Sequence, residues 1–156
     1  MRPVRQAQDR PVIVVDTREQ EAYSFDPERV AVVRRALPAG DYSLEGFEGA
    51  VAVERKTLDD LVTTVIRSRD RFRHELKRLR DYEAACIVVE ADLAGVVAGC
   101  YHSGAHPSAV LGAVVSIVID YGVPLFFCSD RQVARLFTEC YLLRFHRKVQ
   151  AVCEVP

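Results

Sequence analysis

The chain has 156 residues, 49% of them hydrophobic and 28% charged, with a formal net charge of -1. That length suits one domain around one core. The composition is that of a soluble globular protein; no apolar run is long enough to span a membrane, and there is no secretory signal. The five cysteines (Cys86, Cys100, Cys128, Cys140, Cys153) are odd in number and form no C-x-x-C pair, and several sit in apolar runs, which reads as buried reduced thiols of an intracellular protein rather than a disulfide frame.

In chain order, Met1 to Arg10 is polar and reads as a loosely ordered tail. Val12 to Val15 is a short β-branched run, a buried strand ending at Asp16. Arg29 to Leu37 is a second strand candidate, followed by the turn Pro38-Ala39-Gly40. Tyr42 to Leu44 and Val51 to Glu54 read as a hairpin around the loop Glu45 to Gly49. Leu58, Leu61, Val62, Val65 and Ile66 then fall at helical spacing. A polar break from Arg67 to Asp70 precedes a second helix with the stripe Phe72, Leu76, Leu79.

Cys86 to Glu90 reads as a buried parallel strand. After a loop from Gly99 to Pro107, Ser108 is the expected cap of an apolar helix running to about Tyr121. Pro124 to Phe127 is a further strand. Asp130 is expected to cap a last helix whose core stripe is Leu136, Phe137, Cys140 and Tyr141. The order of elements predicts an α/β fold, a mixed sheet flanked by helices, in one domain over 1–156 with its core from about 11 to 148 and short polar tails.

The charge is unevenly placed. From Cys86 to Pro156 there are six acids and five bases, and before Cys86 sixteen of each, so the polar chemistry belongs to the first half. Arg67 to Arg80 holds seven bases against Asp70 and Glu75. Alone, such a run is a solvated helix face; beside a phosphodiester-cleaving centre it becomes a surface that tracks phosphates, with Arg67, Arg69, Arg71 and Lys77 as the candidates.

Asp16 and Glu19 follow the first strand, Asp41 follows the turn, and Glu54 ends the hairpin with Arg55 and Lys56 directly after. Carboxylates at strand ends that converge on one sheet edge repel each other unless a cation sits among them. Mg²⁺ takes oxygen ligands, keeps several waters and accepts one or two protein carboxylates, which Asp41 and Glu54 supply. Lys56 shares a strand face with Glu54, close enough to orient an attacking water and offset charge on phosphorus. The bland reading remains beside this one: Asp41 as a turn residue, Glu54 paired at the surface. Cys100, His102 and His106 lack the fourth ligand and paired cysteines of a zinc site.

Val14-Val15-Asp16-Thr17-Arg18-Glu19 resembles the V-x-D-x-R-E opening of XPF-family nuclease domains. Gly40-Asp41, with Glu54-Arg55-Lys56 and Asp60, resembles the family signature G-D-x(n)-E-R-K-x3-D. Arg71-Phe72 with Leu79 resembles a later family segment. The resemblance runs from about Val12 to Glu90, and more loosely to the last helix.

It implies a restriction-endonuclease-like fold and cleavage of DNA, branched forms included, dependent on Mg²⁺ or Mn²⁺ and on no nucleotide cofactor. It implies Asp41, Glu54 and the Arg55 backbone carbonyl as metal ligands, Asp16 and Glu19 near the metal (Asp16 through water), a catalytic Lys56, an Arg55 that organises the site or holds phosphate, and a supporting Asp60. It further implies a homodimer or heterodimer through C-terminal helices, working in DNA repair or recombination, in the cytoplasm or nucleoid of a prokaryote or the nucleus of a eukaryote. A catalytically inactive DNA-binding or scaffolding partner is the alternative, and a restriction-type or RNA-directed nuclease a third reading. Inactive relatives typically lose the acids and the lysine, which are present here.

Overall fold

The computed structural model describes residues 10–153; the expectation for the first nine residues lies outside them. The elements run β1 (Val12–Val15), β2 (Ala31–Arg34), β3 (Tyr42–Leu44), β4 (Val51–Lys56), α1 (Leu58–Arg67), α2 (Arg69–Arg80), β5 (Ala84–Val89), α3 (Leu93–Val97), α4 (Pro107–Ile119), β6 (Leu125–Phe127) and α5 (Arg131–Cys153). The six strands form one mixed sheet in the order β2-β1-β3-β4-β5-β6. β1 pairs parallel with β2 and antiparallel with β3, β3 pairs antiparallel with β4, and β4, β5 and β6 are mutually parallel. The expected α/β class with helices about a mixed sheet is what the chain adopts.

Strand alternation sorts the side chains into two cores. Val15, Tyr42, Val51, Val53, Cys86 and Val88 pack with Leu142 and Phe145 of α5 on one face. Ala52, Ala85, Ile87 and Val89 pack with Leu61 of α1, Leu76 of α2 and Val114 of α4 on the other. β4 is therefore buried on both sides, as a central strand between parallel and antiparallel neighbours should be.

Several local expectations change. β2 is shorter than Arg29 to Leu37, and α3 was not foreseen. The cap of α4 is His106, whose ring accepts from the Ser108 N–H, with Pro107 at the first helical position; Ser108 is already inside the helix. α5 continues to Cys153, past the expected core limit. Asp130 Oδ1 does accept from the Val133 N–H at 2.9 Å, at the start of α5.

The core stripe read for α5 is corrected: Leu136 and Cys140 are exposed, and Phe137 and Tyr141 half-buried, while Ala134, Thr138, Glu139, Leu142 and Phe145 face inward. Glu139 is buried because two arginines meet it. Arg135 Nη1 donates to Oε2 at 3.1 Å, and Arg29 Nη1 lies 2.6 Å from Oε1 as an ion pair off the line of a hydrogen bond. Of the cysteines, Cys86 and Cys128 are buried, as expected of several, and Cys100, Cys140 and Cys153 are exposed free thiols.

Candidate active site

The site begins with a glycine. Gly40 has φ +75°, and a Cβ there would stand 3.0 Å from Ala52 Cβ and 3.2 Å from the Val53 carbonyl oxygen. Only glycine gives both the left-handed turn and this close approach to β4. The turn delivers Asp41 between two strands: its N–H donates to the Val53 carbonyl at 2.9 Å, and its carbonyl accepts from the Asp16 N–H at 2.9 Å. The Asp41 side chain then accepts from the Arg55 N–H at 2.8 Å.

Alternation along β4 places Glu54 and Lys56 on the face that looks toward α1 and α2, and Arg55 on the opposite face toward α5. Asp41, Glu54 and Lys56 consequently line one cavity of about 550 Å³, floored by the sheet edge and walled by α2. Asp16 and Gly40 complete the sheet side; Arg71, Phe72, Glu75 and Arg78 come from α2, and Arg18 from the loop after β1. Lys56 Nζ is 3.4 Å from Glu54 Oε1 and 5.8 Å from the centre of the Phe72 ring.

The electrostatics follow from burial. Burial pushes the Asp41 carboxyl up to about 7; the Arg55 N–H opposes this, and the charge of Glu19 adds to it. Glu54 is likewise raised well above the usual carboxylate range, first by burial and then by Asp41 and Glu75 beside it. Burial disfavours the Lys56 ammonium, but Glu54, Glu75 and Asp41 together outweigh it and hold the lysine charged. Two carboxyls raised chiefly by burial thus sit beside a retained ammonium, with Arg18, Arg71 and Arg78 also lining the cavity.

The other expected residues are placed as follows. Asp16 is buried in the cavity wall with both oxygens engaged: Oδ1 accepts from the Leu37 N–H at 2.8 Å, and Oδ2 from Arg18 Nε at 2.8 Å. Burial raises its pKa, but those hydrogen bonds and the Arg18 charge more than reverse the effect, so it is held low. Glu19 does not line the cavity; it accepts from the Glu21 N–H at 3.0 Å and meets Arg55 Nη1 at 3.4 Å. The Arg55 guanidinium is also outside, buried against Glu90 with Nε 2.6 Å from Oε1.

Asp60 is exposed in the first turn of α1, where its N–H donates to the capping Thr57 Oγ1 at 3.2 Å. Arg71 reaches the cavity, whereas Arg67, Arg69 and Lys77 lie exposed beyond it. His102 Nδ1 sits 2.7 Å from Asp59 Oδ2, and His106 is spent on its helix cap. Arg18, Glu75 and Arg78 were not foreseen as site residues. A signal existed for two of them: Arg71, Glu75 and Arg78 stand at i, i+4 and i+7, one helical stripe beside the apolar one.

The donor set suits a hard divalent cation. Asp41 and Glu54 offer two carboxylates to one cavity, both raised in pKa chiefly by burial, and Mg²⁺ or Mn²⁺ with its own waters asks for little more. Among the described residues no three His, Cys, Asp or Glu side chains are arranged as a metal cluster.

Residues 15–140 match the family model described as the ERCC4 domain. A protein of Methanocaldococcus jannaschii, "Putative ATP-dependent RNA helicase MJ1505", is 31% identical over 120 residues, which is 77% of this chain and 14% of that protein. XPF from Aeropyrum pernix superposes with a TM-score of 0.67 at 25% identity, over 92% of this chain and 69% of that one. The same protein in complex with DNA gives 0.69 at 27% identity, over 89% of this chain and 66% of that one. The chain thus spans about two thirds of these structures and 14% of the Methanocaldococcus jannaschii protein. The likeness establishes the restriction-endonuclease-like α/β fold expected from the sequence.

Proposed function

The chain belongs to the ERCC4 domain family and is an XPF-type nuclease domain; from that premise we propose that it is an active, divalent-metal-dependent DNA endonuclease. The observation that carries this reading is the placement of Asp41, Glu54 and Lys56 on one cavity wall. A relative of the same fold solved with DNA supports the choice of polymer.

Asp41 and Glu54, with the Arg55 carbonyl, would hold Mg²⁺ or Mn²⁺, and Asp16 would stand behind them through water. The ion supplies a more acidic water and a polarised phosphoryl oxygen when bound. Lys56 orients the attacking water and offsets charge that develops on phosphorus. Arg18, Arg71 and Arg78 at the cavity rim hold the phosphate, and Arg67, Arg69 and Lys77 follow the backbone beyond it. Glu19 and Arg55 support the site from the far face of the sheet, and Asp60 supports it from the first turn of α1, which Thr57 caps.

Residues 1–156 form one such domain in this reading. A homodimer or heterodimer through the C-terminal helices presents the cut strand, with branched, flap or fork DNA as substrate in repair or recombination. The inactive-partner alternative gains little from the geometry: Asp16, Asp41, Glu54 and Lys56 all line the cavity, and of the expected acids only Glu19 lies outside it. The test is a panel of single-stranded, duplex, flap and fork DNA with and without Mg²⁺ or Mn²⁺, run beside Glu54→Gln. Metal-dependent cleavage that the variant loses supports the reading; binding without cleavage under every condition overturns it in favour of a scaffolding role.

A further inference from the structure

Behind the sheet, on the α5 face, four segments converge on one carboxylate. Glu90 follows β5, and its oxygens grip Arg55 as a fork: Nε to Oε1 at 2.6 Å and Nη2 to Oε2 at 3.2 Å. Tyr23 Oη, from the loop after β1, donates to Oε1 at 2.8 Å. Arg131 Nη1, at the start of α5, reaches Oε1 at 3.4 Å. Glu19 and Glu21 each stand 3.4 Å from the Arg55 guanidinium, and Arg55 and Arg131 both lie over the Tyr23 ring. The side chains of Arg55 and Glu90 are only 9% and 8% exposed.

None of this borders the cavity, yet it is joined to the cavity by main chain. The Arg55 N–H holds Asp41 Oδ2 at 2.8 Å, and the Glu90 N–H holds the Lys56 carbonyl at 2.9 Å. Glu90 thus fixes residue 55 by its side chain and residue 56 by its backbone. On an extended strand neighbouring residues cannot shift independently. A displacement of Arg55 therefore moves Glu54 and Lys56 on the front face and loosens the bond to Asp41.

We infer that Glu90 is a positioning residue, which sets the spacing of Asp41, Glu54 and Lys56 from the opposite side of the sheet. The inference rests on the nuclease reading for its effect on rate, but not for its effect on geometry. A buried arginine whose partner is removed must find another or hydrate, and either outcome displaces it.

The variant Glu90→Gln keeps the shape and removes the charge. It should lower kcat by roughly 10–100-fold and weaken Mn²⁺ binding, as loss of groups that orient ligands does. Its affinity for DNA in Ca²⁺ should stay within about twofold, because no phosphate-facing group is touched. Hydrogen exchange at the Arg55 amide should quicken. Glu45→Gln, in a surface pair with Arg35, controls for the loss of an ion pair in general and should change none of these.

A folded Glu90→Gln protein with unaltered kcat, Mn²⁺ affinity and Arg55 exchange overturns the inference. Should that variant not fold, Tyr23→Phe removes one hydrogen bond to Glu90 and keeps the ring; unaltered values there overturn it equally. If the unaltered protein cleaves nothing, the nuclease reading fails, and amide exchange at Arg55 still decides whether Glu90 holds the strand.

Discussion

The main-chain N–H of Arg55 donates to Asp41 Oδ2 at 2.8 Å, so the residue between Glu54 and Lys56 is itself what holds the third member of the set. Asp41 enters from a glycine turn and the other two from a central strand, and this bond crosses between them.

Single substitutions at the cavity should therefore separate chemistry from folding. Lys56→Met should reduce cleavage by roughly 10²–10³-fold, the usual cost of removing one group that stabilises developing charge. Asp41→Asn and Glu54→Gln should reduce it at least as far and weaken Mn²⁺ binding measured by calorimetry. The metal-free melting temperature should hold or rise in the two neutralised variants, since each loses a buried charge that burial disfavours. Cleavage that survives Asp41→Asn in a pure preparation would end the nuclease reading.

The pH dependence of stability has a defined sign. Asp41 is raised from 3.8 to about 7, chiefly by burial, so the metal-free folded protein keeps a proton that the unfolded chain has already lost. Stability contributed by this group is present below about pH 4 and disappears as pH rises toward about 7. Glu54 acts in the same direction. Asp16 and Glu90, held low, add stability that is lost only as pH falls below the ordinary carboxylate range. Thermal melts of the metal-free protein should fall across that interval, and Asp41→Asn should flatten the fall. A steady rise instead would contradict the electrostatics described.

The sequence made part of this legible for a physical reason. Period-two alternation alone puts Glu54 and Lys56 on one face, and the strand Val12–Val15 and helix from Leu58 announce themselves by β-branching and helical spacing. The destination of Arg55 was not legible, because Glu90 becomes its partner only once β4 and β5 lie parallel with Lys56 opposite Val89. Glu75 read as one acid in a basic helix; its entry to the cavity depends on which way α2 turns its Phe72, Leu76 and Leu79 stripe. In α5, hydrophobic spacing misplaced the core because it cannot foresee that Arg29 and Arg135 make burial of Glu139 tolerable.

The basic face of α2 yields a salt-dependent prediction. Arg71 lies at the cavity rim and Lys77 beyond it, on a segment with seven bases. Reversing both to glutamate should weaken DNA binding and flatten the plot of log affinity against log salt, by about 0.9 for each phosphate no longer neutralised. Titrations at several salt concentrations check this. An unchanged slope would place the DNA elsewhere.

The last prediction concerns the C-terminal helices as an assembly face. Val133, Leu136 and Cys140 fall at i, i+3 and i+7 on α5 and all face solvent, while the inward face of the helix is already filled. Leu136 is 48% exposed and Phe126 on β6, its ring tilted against Phe137 at 4.6 Å, is 38% exposed. An apolar stripe continuing from a helix onto a sheet edge is the kind of surface that subunits cover. Leu136→Asp should convert a dimer to monomer in sedimentation velocity with little change in melting temperature for the monomer itself, because the side chain contributes little to the core. A chain that sediments as a monomer before any substitution would remove the self-association proposal and leave the face for a different subunit.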